Sequence, residues 1–192
     1  MKDKVAFILY GDTDLILSEN LHYIQSLIVP ERTEVEAYTL SAQNGIREAF
    51  EAGRLQSDAK YKVYLDQNAY VIDKQFLVKT LGVFRQNPQL GALGVRGYYQ
   101  NEEKNITELI GNNLHRQYGY GLTIAPLTEG DKRGVVPVMA LDWHCVITGV
   151  DTPWNGDDGN FHIVKSVELR HMGYETAVMI DNNPMVLFDN GI

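Results

Sequence analysis

The chain has 192 residues, 44% hydrophobic and 22% charged, with a formal net charge of -8. That length and balance fit one soluble globular domain over residues 1–192 with a sizeable core. The acidity excludes a nucleic-acid binder, which needs a basic face for the phosphate backbone. No apolar run reaches membrane-spanning length, and Met1-Lys2-Asp3-Lys4 leads straight into a strand in place of a signal peptide. Cys145 is the sole cysteine, so no intrachain disulfide forms, and the expected setting is a reducing cytoplasm.

Val5 to Tyr10, VAFILY, is a continuous apolar run of the kind found in a strand buried on both faces. After the turn Gly11-Asp12-Thr13-Asp14, the residues Leu17, Leu21, Ile24 and Ile28 recur at helical spacing until Pro30 stops them. Val35 to Leu40 is a second strand, and Ile46, Ala49 and Phe50 give a short amphipathic helix ending near Gly53. Val63, Tyr64 and Leu65 form a third β-prone run that stops at Asp66-Gln67-Asn68. Such a polar strand end is where open α/β sheets place their ligand site, although Asp and Asn are also ordinary turn residues. A further helix carries Leu77, Leu81 and Phe84 and closes at Asn87-Pro88. This β-α-β-α-β-α order predicts a layered α/β sheet.

LGALGVRG, Leu90 to Gly97, has glycines three apart, which is not the dinucleotide fingerprint and points to close backbone approach. From Tyr98 to Gly134 the pattern weakens and predicts an inserted loop region with one short helix near Thr107. Val135 to Val150 reads as the longest strand, with Asp142-Trp143 in its middle, and Asn155 to Gly159 as a loop rich in carboxylates. Val164, Val167 and His171 predict a helical face that Gly173 ends. Tyr174 to Ile180 and Met185 to Phe188 are the last strand candidates. The five histidines show no paired spacing for zinc.

Several segments in order resemble one family: VAFILYGDTD with ENLHYIQSL, AKYKVYLDQNAYVIDKQFL, FRQNPQLGALGVRG, ALDWHCVITGVDTPW, and the terminal EL, MGY and FDNG. They are similar to the small bacterial glycosyltransferase-like proteins of the GT-A type, family-2-like group, in the nucleotide-diphospho-sugar transferase superfamily. The resemblance implies a three-layer α/β/α fold with a Rossmann-like half and a mixed, mostly parallel central sheet. It implies a nucleotide sugar lying across the carboxyl ends of the strands, with Tyr10, Asp12 and Ala42 around the nucleoside. Asp66, Gln67 and Asn68 take the diphosphate position, where Asp66 and Asn68 would hold Mn²⁺ or Mg²⁺, and Asp142 and Trp143 border the sugar and an unknown carbohydrate or other acceptor. The metal would neutralise the charge developing on the leaving diphosphate.

The departures from the family fall at the chemistry. Its His-Gln-Asp appears here as Asp66-Gln67-Asn68, which puts a neutral amide where an acid holds the metal. Phe161-His162 stands at its aromatic-Asp pair, so His162, or Asp157 or Asp158 from the adjoining loop, becomes the candidate base. Phe188 replaces a histidine near the metal, and Asp142-Trp143 replaces Asp-Gly. Two functions therefore follow from the resemblance. One is a glycosyltransferase (hexosyltransferase-type) moving a sugar from a nucleoside diphosphate to an acceptor; the other is a catalytically inactive homologue that binds nucleotide sugar or acts as a partner subunit. The short chain also raises the expectation of a homo-oligomer completing the acceptor side.

Overall fold

The computed structural model describes residues 2–11, 13–41, 45–103, 105–118 and 122–189. The first strand, β1 (Asp3–Gly11), contains the VAFILY run, and Val5 to Leu9 are fully buried. Successive strand side chains point to opposite faces. Val5, Phe7 and Leu9 therefore enter one apolar cluster and Ile8 another, so the sheet is covered on both sides. Strands β2 (Thr33–Ser41) and β3 (Tyr61–Asp66) flank β1, both parallel to it. The crossovers are the helices α1 (Asp14–Gln25) and α2 (Ile46–Gln56).

The remaining elements are β4 (Ala69–Val71), α3 (Phe76–Gln86), β5 (Leu90–Gly94), β6 (Arg96–Asn101), β7 (Ile106–Tyr118) and β8 (Leu122–Glu129). They are followed by β9 (Gly134–Pro137), β10 (Ala140–Leu141), β11 (Cys145–Thr148), α4 (Phe161–His171), β12 (Glu175–Ile180) and β13 (Val186–Asp189). The central sheet runs β2-β1-β3-β11-β5-β12-β9, with β11 and β9 antiparallel to their neighbours. It is mixed and mostly parallel, as expected. Ile24 of α1 and Leu77, Leu81 and Phe84 of α3 join the Val5 cluster, while Phe50 of α2 and Phe161 and Leu169 of α4 join the Ile8 cluster. The result is three layers, α/β/α. A second sheet, β10-β6-β7-β13-β4 with β8 on β7, closes over one end.

Three expectations change. The stretch predicted as loop with a helix near Thr107 is the strands β6, β7 and β8 instead. Pairing to β6 and β8, antiparallel, and to β13, parallel, makes β7 a strand although polar residues occupy both its faces, and β8 is exposed or half-buried at every position. Apolar periodicity is therefore absent where hydrogen-bonded pairing decides the structure: the buried positions of β7 include Asn113 and His115. Val135 to Val150 is three short strands, because Asp142-Trp143 turns the chain between β10 and β11. On α4 the buried face is Phe161, His162, Lys165, Ser166 and Leu169, with His171 exposed. Phe161 rotates the helix this way by docking against Phe50 and Trp154, at ring-centroid distances of 6.1 and 5.5 Å. The glycine-rich segment does mark close backbone approach: a Cβ on Gly97 would lie 2.8 Å from the carbonyl oxygen of Ala140.

Candidate functional site

Strand β3 leaves the core at Asp66, and Gln67 and Asn68 turn the chain into β4. Three elements clamp this turn. The Asn20 side-chain amide of α1 donates to the Gln67 carbonyl at 3.0 Å, and the Asp189 N–H of β13 donates to the Asn68 carbonyl at 2.8 Å. The Asp66 N–H donates to the His144 carbonyl at 3.1 Å. Gly11 adds to the closeness, since a Cβ there would meet the Gln67 Cβ at 3.0 Å. Tyr10 stands beside Asp66 in the β1–β3 register, half-buried, its ring edge-on to Phe50. Asp12 and Ala42 lie outside the described residues.

The Asp66 carboxylate faces its own turn. It is buried, and its Oδ1 accepts the Asn68 N–H at 2.8 Å. Burial pushes its carboxyl above the ordinary range, and the charge of Asp142 adds to that, against the opposing pull of the Asn68 hydrogen bonds and of His144.

The second polar turn, Asp142-Trp143-His144, joins β10 to β11. Asp142 is also buried, but its oxygens have partners: Oδ1 accepts from His144 Nδ1 and, at 3.3 Å, from the His144 N–H. Its Oδ2 lies 3.4 Å from Arg96 Nη1. Burial raises its carboxyl, yet the His144 hydrogen bonds and the charges of His144 and Arg96 outweigh burial and hold it below the ordinary range. Arg96 is itself anchored by both oxygens of Glu129, at 2.8 and 2.9 Å. The His144 ring stacks on Trp143 (4.1 Å between centroids, 16° between planes) and meets Phe188 edge-on at 5.3 Å. A cleft of about 170 Å³ opens here, lined by Asn68, Arg96, His144, Phe188 and Asp189.

The other candidate bases sit differently. His162, on the first turn of α4, is 9% exposed, its Nδ1 is buried without a hydrogen-bond partner among the described residues, and burial lowers its pKa. It is close enough to Asp142 and His144 for their charges to act on it. Asp157 accepts the N–H groups of Gly159 and Asn160 on Oδ1, at 3.0 and 3.1 Å, and fixes the start of α4. Asp158 Oδ1 accepts the Arg47 N–H at 3.1 Å and caps α2. Gly45 makes that cap accessible: its φ is +95°, and a Cβ there would collide with the Asp158 carboxylate. The structure thus joins Asp66, Asn68, Asp142 and Trp143 at one end of the sheet, with His162 near them, and gives Asp157 and Asp158 to helix caps. Sequence reasoning missed Arg96, His144 and Asp189 as lining residues. The spacing of Asp142 and His144, two apart in a polar interruption of a strand, was the available signal.

A divalent cation is not well matched by this turn. Asp66 has one oxygen held by the Asn68 N–H, Asn68 is neutral, and Phe188 offers no donor. Both Asp142 oxygens are engaged by His144 and Arg96. Among the described residues no three His, Cys, Asp or Glu side chains are grouped to hold a metal ion.

A model of a glycosyltransferase-like family matches residues 6–192. Comparison with curated protein sequences gives no match. Among solved structures, the chain is similar to the mannosyltransferase PcManGT of Pyrobaculum calidifontis in complex with GDP-Man and Mn²⁺ (TM-score 0.62, 11% identity, 99% of this chain and 57% of that one). It is also similar to S. aureus TarS residues 1–349 in complex with UDP-GlcNAc (TM-score 0.57, 10% identity, 100% and 59%). A197 from STIV matches over 99% of this chain and 95% of its own, at 12% identity and a TM-score of 0.53. These likenesses establish the GT-A fold. The chain spans less than two thirds of the mannosyltransferase and of TarS. Among the described residues no helix is long and apolar enough to cross a membrane.

Proposed function

The chain belongs to the glycosyltransferase-like family, and from that premise we propose that it binds a nucleoside-diphosphate sugar at the carboxyl end of β3 and transfers the sugar to an acceptor. The observation that carries this reading is the convergence of two polar turns, Asp66-Gln67-Asn68 and Asp142-Trp143-His144, on one cleft. That position is the strand edge where open α/β sheets bind ligands. Tyr10, Asp12 and Ala42 are assigned to the nucleoside side, Gln67 and Asn68 to the diphosphate, and Asp142 and Trp143 to the sugar. Trp143 is half-buried and stacked on His144, which lines the cleft.

Calorimetric titration with UDP, GDP and CDP, each with and without Mn²⁺, tests the reading. Binding of at least one nucleotide is expected, with little change on adding Mn²⁺ because the turn offers a single carboxylate, one oxygen of which is held by the Asn68 N–H. Binding that appears only with Mn²⁺ would restore Asp66 and Asn68 as ligands, and no binding at all would overturn the reading. A second reading, binding without transfer, is favoured by one observation: Asp157 and Asp158 are committed to helix caps and His162 is buried.

A further inference from the structure

We infer that His144 is the general base of this site, with Asp142 and Arg96 as its positioning residues; the inference rests on the nucleotide-sugar reading above. The chemistry of the partners fixes the tautomer. The ionised Asp142 carboxylate offers only acceptors, so the proton of the hydrogen bond lies on His144 Nδ1. In the neutral ring the Nε2 lone pair is then left to receive a proton. The ring makes no other hydrogen bond among the described residues, and its side chain is 29% exposed and lines the cleft.

The ring is held from several sides. Trp143 stacks on one face, Phe188 meets it edge-on, Asp142 bonds Nδ1, and Arg96 fixes Asp142 from beyond. An imidazole oriented by a buried carboxylate and lining a cleft is the arrangement that general-base catalysis requires. His162 has no such orienting group among the described residues, where its Nδ1 is unpartnered.

The step balances without another reactant. The acceptor hydroxyl oxygen bonds to the anomeric carbon as its proton passes to His144 Nε2. The bond from that carbon to the β-phosphate oxygen breaks, and its electron pair leaves with the nucleoside diphosphate. Asp142 stabilises the imidazolium until its proton passes to solvent. Water in place of the acceptor gives slow donor hydrolysis, which makes the test independent of the acceptor's identity.

The experiment measures UDP or GDP released from UDP-GlcNAc and GDP-mannose, with and without Mn²⁺, alongside calorimetric donor affinity. His144→Asn keeps an N–H toward Asp142 and removes the base; His144→Ala leaves room for added imidazole. Both are expected to lower turnover about 10²–10⁴-fold at unchanged donor affinity, with imidazole restoring part of the His144→Ala loss. A His144→Asn enzyme as fast as the parent would overturn the assignment, as would a parent protein that binds donor and releases no nucleotide. A parent that binds neither donor would bring down the nucleotide-sugar reading itself, and this inference with it.

Discussion

Two acid-bearing turns meet at the same end of the sheet, and their carboxylates are buried to a similar depth, yet their electrostatics run in opposite directions. Asp66 closes on its own backbone and is pushed toward the protonated form. Asp142 faces an imidazole and a guanidinium and is held ionised. Depth of burial does not decide which acid is chemically useful; the partners waiting at that depth do. The first turn is shaped to hold backbone, and the second to hold a ring.

Asp142→Ala should test this contrast most severely. It leaves Arg96 and His144 without their shared anion, and the loss expected from a broken buried pair is about 3–5 kcal/mol, read as a shift in urea midpoint. Asp66→Asn should go the other way. The amide oxygen still accepts the Asn68 N–H while the buried charge disappears, so stability at neutral pH is expected to hold or rise, by up to about 1 kcal/mol. A large loss from Asp66→Asn would show that its charge has a partner after all. The pH profiles sharpen the same point. The raised Asp66 pKa means that its ionisation costs stability as pH climbs through the acidic range, whereas the depressed Asp142 pKa gives stability that is lost as pH falls. Asp142→Asn should therefore flatten the acid limb of the stability curve.

Smaller effects are expected away from the site. Asp158→Ala removes the cap of α2 and should cost about 0.5–2 kcal/mol, which distinguishes a cap from a base because nucleotide release would fall no further than folding does. Lys165 is buried over the Trp154 ring, its ammonium bonded to the carbonyls of Thr152 and Pro153, and burial lowers its pKa to about 7. The unfolded chain holds that proton up to about pH 10.4, so between the two values it binds more protons than the native state. Stability should consequently rise with pH across that interval, and Lys165→Met should abolish the rise.

The same contrast governs how much the sequence reveals. The β1–α1–β2–α2–β3 half was legible because its strands carry apolar runs and its helices apolar residues at helical spacing, VAFILY being the clearest. β7 and β8 were not, since their strands rest on pairing and leave Leu122 and Ile124 in solvent. Asp66-Gln67-Asn68 was found from its place at a strand end. His144 falls within the stretch read as one long strand, its spacing from Asp142 acquires meaning only when the chain turns between them, and Arg96 comes from a different strand altogether. Pairwise geometry of that kind has no signature along one chain.

Cys145 follows His144 directly and is the sole cysteine; it is 1% exposed, with burial raising its thiol pKa. A thiol reagent cannot reach it while β11 stays between β3 and β5. The strand that follows the Asp142-Trp143-His144 turn therefore contains its own reporter: the labelling rate of the unmodified protein measures how often that strand opens. A ligand seated in the neighbouring cleft would slow that rate before any product is seen.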